Sequence, residues 1–155
     1  MAKIKLGLFV KDKVTGLMGV AENRATFLYG CDRYFVQPQV DKDGKVPTGM
    51  MIDEPQLQQL NHIPSAMVPM PEPEQIIQLG SSVYDPITGR KGIATGRAVY
   101  LNGCSRIFVE PKHKLLTIDA KGWWTEEQQL VIKKKVISQP KEYRTGGPAR
   151  SCSKY

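Results

Sequence analysis

The sequence predicts an all-β protein made of two tandem copies of one small barrel, followed by a basic C-terminal arm. The chain repeats itself at a constant offset of 73 positions, so that FLYGCDRYFVQP at 27–38 returns as YLNGCSRIFVEP at 100–111. Within each copy, short apolar runs alternate with turn signals roughly every 8–12 residues, and no long helical pattern interrupts them.

The repeat runs without a gap from Leu6 and Leu79 to Leu57 and Leu130, and about 20 of about 52 aligned positions are identical. Identity of this kind at one fixed offset marks a duplicated module. Besides glycines and apolar residues, the identical positions include four charged pairs, Asp12/Asp85, Arg24/Arg97, Arg33/Arg106 and Glu54/Glu127.

Each module opens with an alternating strand, 6–12 or 79–85, that ends at an aspartate. The following DKVTG or DPITG predicts a tight turn, because an Asp side chain accepts hydrogen bonds from nearby backbone amides and the Gly supplies a positive φ. We therefore interpret Asp12 and Asp85 as turn caps and not as catalytic groups.

A second strand begins near Gly19, where a glycine within a strand marks a bend or bulge. Tyr29-Gly30 and the aligned Asn102-Gly103 predict the hairpin turn that follows. A third strand, 31–37 or 104–110, stops at a proline, which has no amide to donate to a ladder.

A polar loop, a short strand, a tight turn at Asp53-Glu54 or Glu126-Glu127, and a closing strand complete each module. About 55 residues are too few for a two-sheet sandwich, which takes about 100. A small, strongly bent barrel fits this length, because closure removes exposed strand edges.

These elements place the first barrel at residues 1–60, a linker at 61–78, the second barrel at 79–137 and the arm at 138–155. The linker carries four closely spaced prolines, which favour an extended, semi-rigid spacer. The alternative is a surface loop that packs on one module.

Two side-chain patterns allow specific expectations. Cys31 and Cys104 are equivalents, and we expect both to be buried and reduced, because no CxxC spacing indicates a disulfide framework or a zinc site. Trp123-Trp124 aligns with Met50-Met51, and neighbours on a strand face opposite ways, so one of each pair should fill the core. The outward Trp or Met is a candidate interface anchor, unless the linker or the other module covers it.

Charge is unevenly spread. Residues 128–155 carry six of the net +7 charges, so a basic partner surface is expected at this end, including Lys133, Lys134 and Lys135. No apolar run reaches the roughly 20 residues of a membrane helix, and the start lacks the apolar stretch of a signal peptide. We expect a soluble protein made in a cytoplasm, with no membrane partner.

The sequence contains no motif for nucleophilic, metal or dinucleotide chemistry, so we expect a non-enzymatic protein with no cofactor and no metal site. The repeated arginines are candidate binding residues, because a guanidinium pairs bidentately with carboxylates and phosphates. Internal ion pairs with the repeated acids are the alternative. The four arginines are Arg24, Arg97, Arg33 and Arg106.

The order G-x-x-V-x-D-x-x-T-G-x-x-G-x-A, then Y-L-x-G-C-x-R, then D/E-E-x-Q-L, resembles small SH3-like barrel modules of tailed-phage proteins. The resemblance covers 6–60 and 79–132 and implies two tandem SH3-like barrels and a phage source. It leaves the function open, because such barrels serve assembly, nucleic-acid contact and small-ligand binding.

Three functions follow from these observations. The first is a structural or assembly component of the virion, such as a decoration, cement or connector protein, which binds shell or connector proteins and forms a homo-oligomer. The second is a small-ligand binder that sequesters a nucleotide-type signal, with the arginines on its phosphates. The third is non-specific nucleic-acid contact through the basic C-terminal end.

We predict that residues 141–155 form an extended arm against a neighbouring subunit or shell protein, with Tyr143, Arg144 and Tyr155 in contact. Truncation after Gln139 should leave the protein folded but abolish incorporation or oligomerisation. Association of the full chain should weaken as salt rises, because salt screens charges beyond roughly 8–10 Å. Association that changes with neither salt nor truncation would contradict the arm.

Overall fold

The computed structural model describes residues 3–61, 71–111 and 121–134 of the 155-residue chain. These residues form an all-β fold in which every strand pairing is antiparallel, as the sequence predicts. The strands are β1 Phe9–Asp12, β2 Met18–Phe27, β3 Arg33–Gln37, β4 Met50–Asp53, β5 Leu57–Gln59, β6 Ser82–Tyr84, β7 Lys91–Tyr100, β8 Ser105–Glu110, β9 Trp123–Glu126 and β10 Val131–Lys134.

The five strands of each half pair in the same order. In the first half the order across the sheet is β5–β1–β2–β3–β4, and in the second half it is β10–β6–β7–β8–β9. A short 3₁₀ helix, Glu54–Gln56 or Glu127–Gln129, turns the chain between the fourth and fifth strands. The duplicated sequence therefore forms a duplicated strand order.

Each half buries its own apolar core, and most positions of one core align with positions of the other. The first core contains Ile4, Val10, Ala21, Tyr34, Val36, Ile52 and Leu57. The second contains Ile77, Leu79, Val83, Ala94, Ile107, Val109 and Leu130. Burial alternates along β3 and β8, so one face of each strand packs inward and the other faces away from the core.

The first turn of each half is capped as predicted. The Asp12 carboxylate accepts hydrogen bonds from the Val14 amide at 3.0 Å and from the Thr15 hydroxyl at 2.5 Å. Asp85 accepts the same two bonds from Ile87 and Thr88. The glycines that end these turns have a positive φ, 79° and 78°. Both aspartates are buried and serve as structural caps.

The long strands β2 and β7 each take part in more than one ladder. The register of β2 against β3 shifts between Ala21 and Asn23, and the register of β7 against β8 shifts between Ala94 and Gly96. A bulge of this kind bends a strand. Before its bulge β2 pairs with β1, and after it β2 pairs with β7.

The junction between the halves was not predicted. Residues 23–27 of β2 pair with residues 96–100 of β7, and this ladder joins all ten described strands into one hydrogen-bonded sheet. The sequence predicts two barrels joined by a Pro-rich linker, and the described residues show in addition a direct ladder between the halves. The predicted linker is described only at residues 61 and 71–78, and the predicted arm lies outside the described residues.

Two side-chain expectations are also wrong. Cys104 is exposed, because it lies in the hairpin turn before β8 and not in the strand, and Cys31 is half-buried and disulfide-bonded. Met50 and Met51 are both exposed, at 48% and 45%, although they are neighbours on β4. The aligned Trp123 and Trp124 do behave as predicted, with Trp123 against the core and Trp124 outward.

Gly92 allows two strands to approach closely. A Cβ at this position would overlap the backbone carbonyl oxygen of Glu110, and a Cβ at the equivalent Gly19 would lie 2.5 Å from the carbonyl oxygen of Gln37. A Cβ at Gly96 would lie 3.2 Å from the Phe108 Cβ and from a ring carbon of Phe27, a tighter contact than usual but without the overlap found at Gly92.

We predict that Gly92→Ala lowers the free energy of unfolding by about 3 kcal/mol, because a backbone oxygen cannot give way. Gly96→Ala, the matched control, should cost about 1 kcal/mol, because aromatic side chains can shift. Urea unfolding followed by tryptophan fluorescence measures both values. An equal or smaller loss for Gly92→Ala would show that β7 and β8 separate easily at this point.

Candidate functional site

The inner face of the β2–β7 ladder holds two of the candidate arginines. Arg24 and Arg97 are 2% and 5% exposed, and each guanidinium pairs with a carboxylate. Arg97 pairs with Glu127, while Arg24 pairs with Glu72 at 2.6 Å. The sequence analysis gave internal ion pairs with the repeated acids as the alternative to ligand binding, and Arg97 forms such a pair with Glu127. Arg24 is also paired internally, but with Glu72 of the segment between the halves and not with the repeated Glu54.

Glu127 connects three parts of the second half. Its Oε1 accepts hydrogen bonds from the amides of Ile76 and Ile77, at 3.0 and 2.8 Å, and from Arg97. Its Oε2 accepts a bond of 2.6 Å from the Ser105 hydroxyl. Burial raises the pKa of Glu127, but these hydrogen bonds outweigh burial and hold the pKa below its usual value. The buried carboxylate is therefore charged at neutral pH.

The two halves satisfy an equivalent backbone carbonyl in different ways. The Ile77 carbonyl accepts a hydrogen bond of 2.5 Å from Arg97, whereas the aligned Ile4 carbonyl accepts one of 3.2 Å from the Tyr34 hydroxyl. In the second half Ile107 aligns with Tyr34 and has no hydroxyl to offer. In the first half the Tyr34 hydroxyl therefore makes the carbonyl contact that Arg97 makes in the second half, and Arg24 binds Glu72 instead.

The other two candidate arginines form cross-strand ion pairs. Arg33 on β3 contacts Asp53 on β4, and Arg106 on β8 contacts Glu126 on β9, each with 2.7 Å between the guanidinium Nε and a carboxylate oxygen. The Arg106 side chain is 49% exposed and that of Arg33 is 27% exposed. The sequence analysis placed Asp53 and Glu126 in tight turns and did not identify them as partners of the arginines, although the offset aligns the two acids.

These ion pairs lie on a continuous surface that we call the outer face, formed by β9–β8–β7–β2–β3–β4 on the side away from the cores. Directly paired residues of an antiparallel ladder point to the same side, so the registers define rows of side chains. The middle row is Glu126, Arg106, Ala98, Ala25, Arg33 and Asp53. One flanking row is Trp124, Phe108, Gly96 and Phe27, and the other is Met51, Phe35, Asn23 and Tyr100.

The outer face has an approximate two-fold axis. Ala25 pairs with Ala98, which is its own equivalent at the 73-residue offset. Every residue of one flanking row is the equivalent of the opposite residue in the other row, as Trp124 is of Met51. The face therefore presents two related patches in opposite orientations, with two ion pairs between them; of the four aligned positions only Phe35 and Phe108 are identical. We call the patch that contains Trp124 the tryptophan patch.

The tryptophan patch is held in place by aromatic contacts. The Trp124 and Phe108 rings have centroids 5.2 Å apart and are tilted by 51°. The Phe108 ring lies over Gly122, where a Cβ would overlap it, and Phe27 from the first half reaches Gly96 beside it. Trp124 is 42% exposed. In the equivalent patch the Phe35 ring lies over Gly49, beside the exposed Met51.

The remaining candidate residues lie elsewhere or are not described. Trp123 packs on the second core, with the Arg90 guanidinium carbon 4.3 Å from its ring centroid. Lys133 and Lys134 are exposed on β10, which is separated by β6 from β7 of the outer face. Four candidates lie outside the described residues, namely Lys135, Tyr143, Arg144 and Tyr155. The sequence analysis did not identify Phe27, Phe108 and Tyr100 as candidates. The signal was present, because Phe27 aligns with Tyr100 and Phe108 aligns with Phe35, so each position is aromatic in both copies.

A cavity of about 300 Å³ lies between the halves, lined largely by Leu6, Pro71, Val99 and Tyr100, with Glu72 at its side. The Glu72 carboxylate is already bound to Arg24. Among residues 3–61, 71–111 and 121–134, no group of His, Cys, Asp and Glu side chains could hold a metal ion. In the same residues no helix is long and apolar enough to cross a membrane.

No family model, no curated protein and no solved structure matches the chain.

We predict that Glu127→Gln lowers the free energy of unfolding at pH 7 by about 3–5 kcal/mol, because it leaves Arg97 buried without a charged partner. The Glu127 pKa is lower in the folded protein than its ordinary value of 4.5. Its contribution is therefore complete above about pH 4.5 and is lost as pH falls through the folded-state pKa. Chemical unfolding at several pH values between 2 and 7 measures both effects.

The neighbouring Glu126→Gln is the matched control. Its pair with Arg106 is half-exposed, so it should change stability much less and leave the acid dependence almost intact. Equal losses for the two variants would show that the Glu127 network does not hold the second half together.

Proposed function

We propose that each half is a small SH3-like barrel and that the two barrels together form a non-enzymatic contact protein. The separate apolar cores support this architecture, as do the bulged strands β2 and β7 and the 3₁₀ helix before the last strand of each half. The β2–β7 ladder would then set the two barrels side by side, with the outer face across both.

The proposed role is that of a structural or assembly component of a phage particle, such as a decoration, cement or connector protein. The observation that carries it is the repeated apolar patch of the outer face, Trp124 on Phe108 and Met51 beside Phe35. Aromatic and Met residues are enriched at protein interfaces, and Trp is among the residues that most often dominate binding energy.

The partner we propose is a protein surface with two equivalent binding sites, as adjacent copies of a shell subunit present. Trp124 on β9 and Met51 on β4 are five strand intervals apart, which is about 24 Å at the usual strand spacing of about 4.8 Å. The ion pairs between the patches balance each other in charge, so the centre of the face attracts neither an acidic nor a basic partner.

The nucleotide-type ligand finds less support. That hypothesis used the repeated arginines to bind phosphates, but Arg24, Arg97, Arg33 and Arg106 each contact a carboxylate. Arg24 and Arg97 are also buried beneath the ladder. A phosphate would have to break one of these ion pairs, whereas a protein partner can use Trp124 and Met51 as they stand.

We predict that particles of the phage encoding this chain contain it at a constant copy number, and that Trp124→Ala lowers this number about thirtyfold at limiting protein. Truncation of a central aromatic anchor costs about 2 kcal/mol or more in binding, which corresponds to that factor. Quantitative mass spectrometry of purified particles measures the copy number.

Ile87→Ala is the matched control, because Ile87 is 76% exposed but lies in the turn between β6 and β7, outside the outer face. This variant should be incorporated normally. Absence of the wild-type chain from particles would contradict the virion role. Equal incorporation of the two variants would contradict the outer face as the contact surface.

A further inference from the structure

A second surface, on the β10–β6–β7 edge of the second half, combines cations with an aromatic ring. The Lys91 and Lys133 ammonium nitrogens lie 5.8 and 5.0 Å from the centroid of the Tyr84 ring. We call Lys91, Lys133 and Lys134 the basic strip; all three are exposed.

The fold brings these residues together from distant parts of the chain. Tyr84 on β6 pairs with Lys91 on β7 and with Val131 on β10. The register of β10 shifts between Ile132 and Lys134, so Lys133 is the extra residue of a bulge. A bulge re-aims a side chain, and here it leaves the Lys133 ammonium over the tyrosine ring.

The first half shows that the fold does not require the basic strip. At the 73-residue offset, Lys91, Lys133 and Lys134 align with Met18, Leu60 and Asn61. The first half forms the same strand order with these uncharged residues. Three positive charges therefore lie at positions where the duplicated fold accepts neutral side chains.

Among the described residues, no salt bridge joins an acid to the basic strip. Asp85 is 1% exposed, and its carboxylate accepts hydrogen bonds from Thr88, Ile87 and Gln129. Glu110 on β8 is the acid that neighbours Lys91 across the β7–β8 ladder. It pairs with Ile93, two residues along β7 from Lys91, and is therefore diagonal to the lysine. The Lys91 and Lys133 ammonium nitrogens both lie within 6 Å of one ring centroid and repel each other. An anion between them relieves this repulsion.

We propose that the basic strip binds the phosphate backbone of a nucleic acid without reading its sequence. Lysines beside the Tyr84 ring suit this contact, because phosphates bind ammonium groups and bases stack on aromatic side chains. All charges of the strip have the same sign, which matches a uniformly charged polymer. It is separate from the outer face and does not depend on the function proposed for that face.

The test uses the full chain and a fluorescent 20-nucleotide single strand of thymidines, with anisotropy measured from 50 to 300 mM salt. We expect Lys91→Ala/Lys133→Ala to weaken binding about tenfold at 100 mM salt and to reduce the slope of log K against log salt by about 1.4, because two phosphate contacts are lost. Lys11→Ala/Lys13→Ala removes the same charge from exposed positions of the first half and should have little effect.

The proposal would be overturned if the wild-type chain failed to bind the strand at 50 mM salt, or if the two double variants bound it equally. It would also be overturned if polyglutamate of matched charge bound as tightly as the strand, which would indicate an acidic protein partner. A duplex of the same length, run in parallel, shows whether single or double strands are preferred. Circular dichroism spectra confirm that each variant is folded.

Discussion

Ala25 and Ala98 face each other where β2 pairs with β7, and the positions of both cores and of the outer face depend on this register. Side chains alternate along a strand, so a slip of one residue would exchange the two faces of the ladder. Arg24 and Arg97 would then leave their carboxylates, and alanines would replace them inside. Both alanines are 4% exposed, and their small side chains lie between Arg33 and Arg106 in the middle row.

Two buried arginines, Arg24 and Arg97, lie on the inner face of the β2–β7 ladder. A guanidinium removed from water is tolerated only with a charged partner and further hydrogen bonds, and Arg97 has both in Glu127 and the Ile77 carbonyl. Glu127 also holds the amides of Ile76 and Ile77, so the ion pair fixes the segment that enters the second half. In the first half Glu72, which lies outside the repeated module, is the charged partner of Arg24. This contact connects the segment between the halves to β2.

Comparison of the two copies separates what the fold needs from what each half adds. The turn caps and the close-approach glycines are identical in both copies and have a structural purpose in each. The outer face has phenylalanine in both copies, at Phe35 and Phe108, but differs at the aligned Met51 and Trp124. The edge beside β10 also differs, since Lys91, Lys133 and Lys134 of the second half align with the uncharged Met18, Leu60 and Asn61.

The all-β class, the duplication, the turns and one outward residue in the Trp123-Trp124 pair could be predicted from the sequence. These features depend on local turn chemistry, on side-chain alternation and on a repeat that is visible without a structure. The sheet order within each half, the choice of Trp124 as the outward residue and the β2–β7 junction required the tertiary structure, because nothing local distinguishes a strand that pairs across the two halves from one that ends at an open edge. The same holds for Arg24 with Glu72 and for Lys91 and Lys133 around Tyr84, since each joins residues that are distant in sequence and meet only when the strands pair. Cys104 was predicted as a strand residue and lies in a turn, where the hairpin's backbone geometry and not the residue's hydrophobicity sets its exposure.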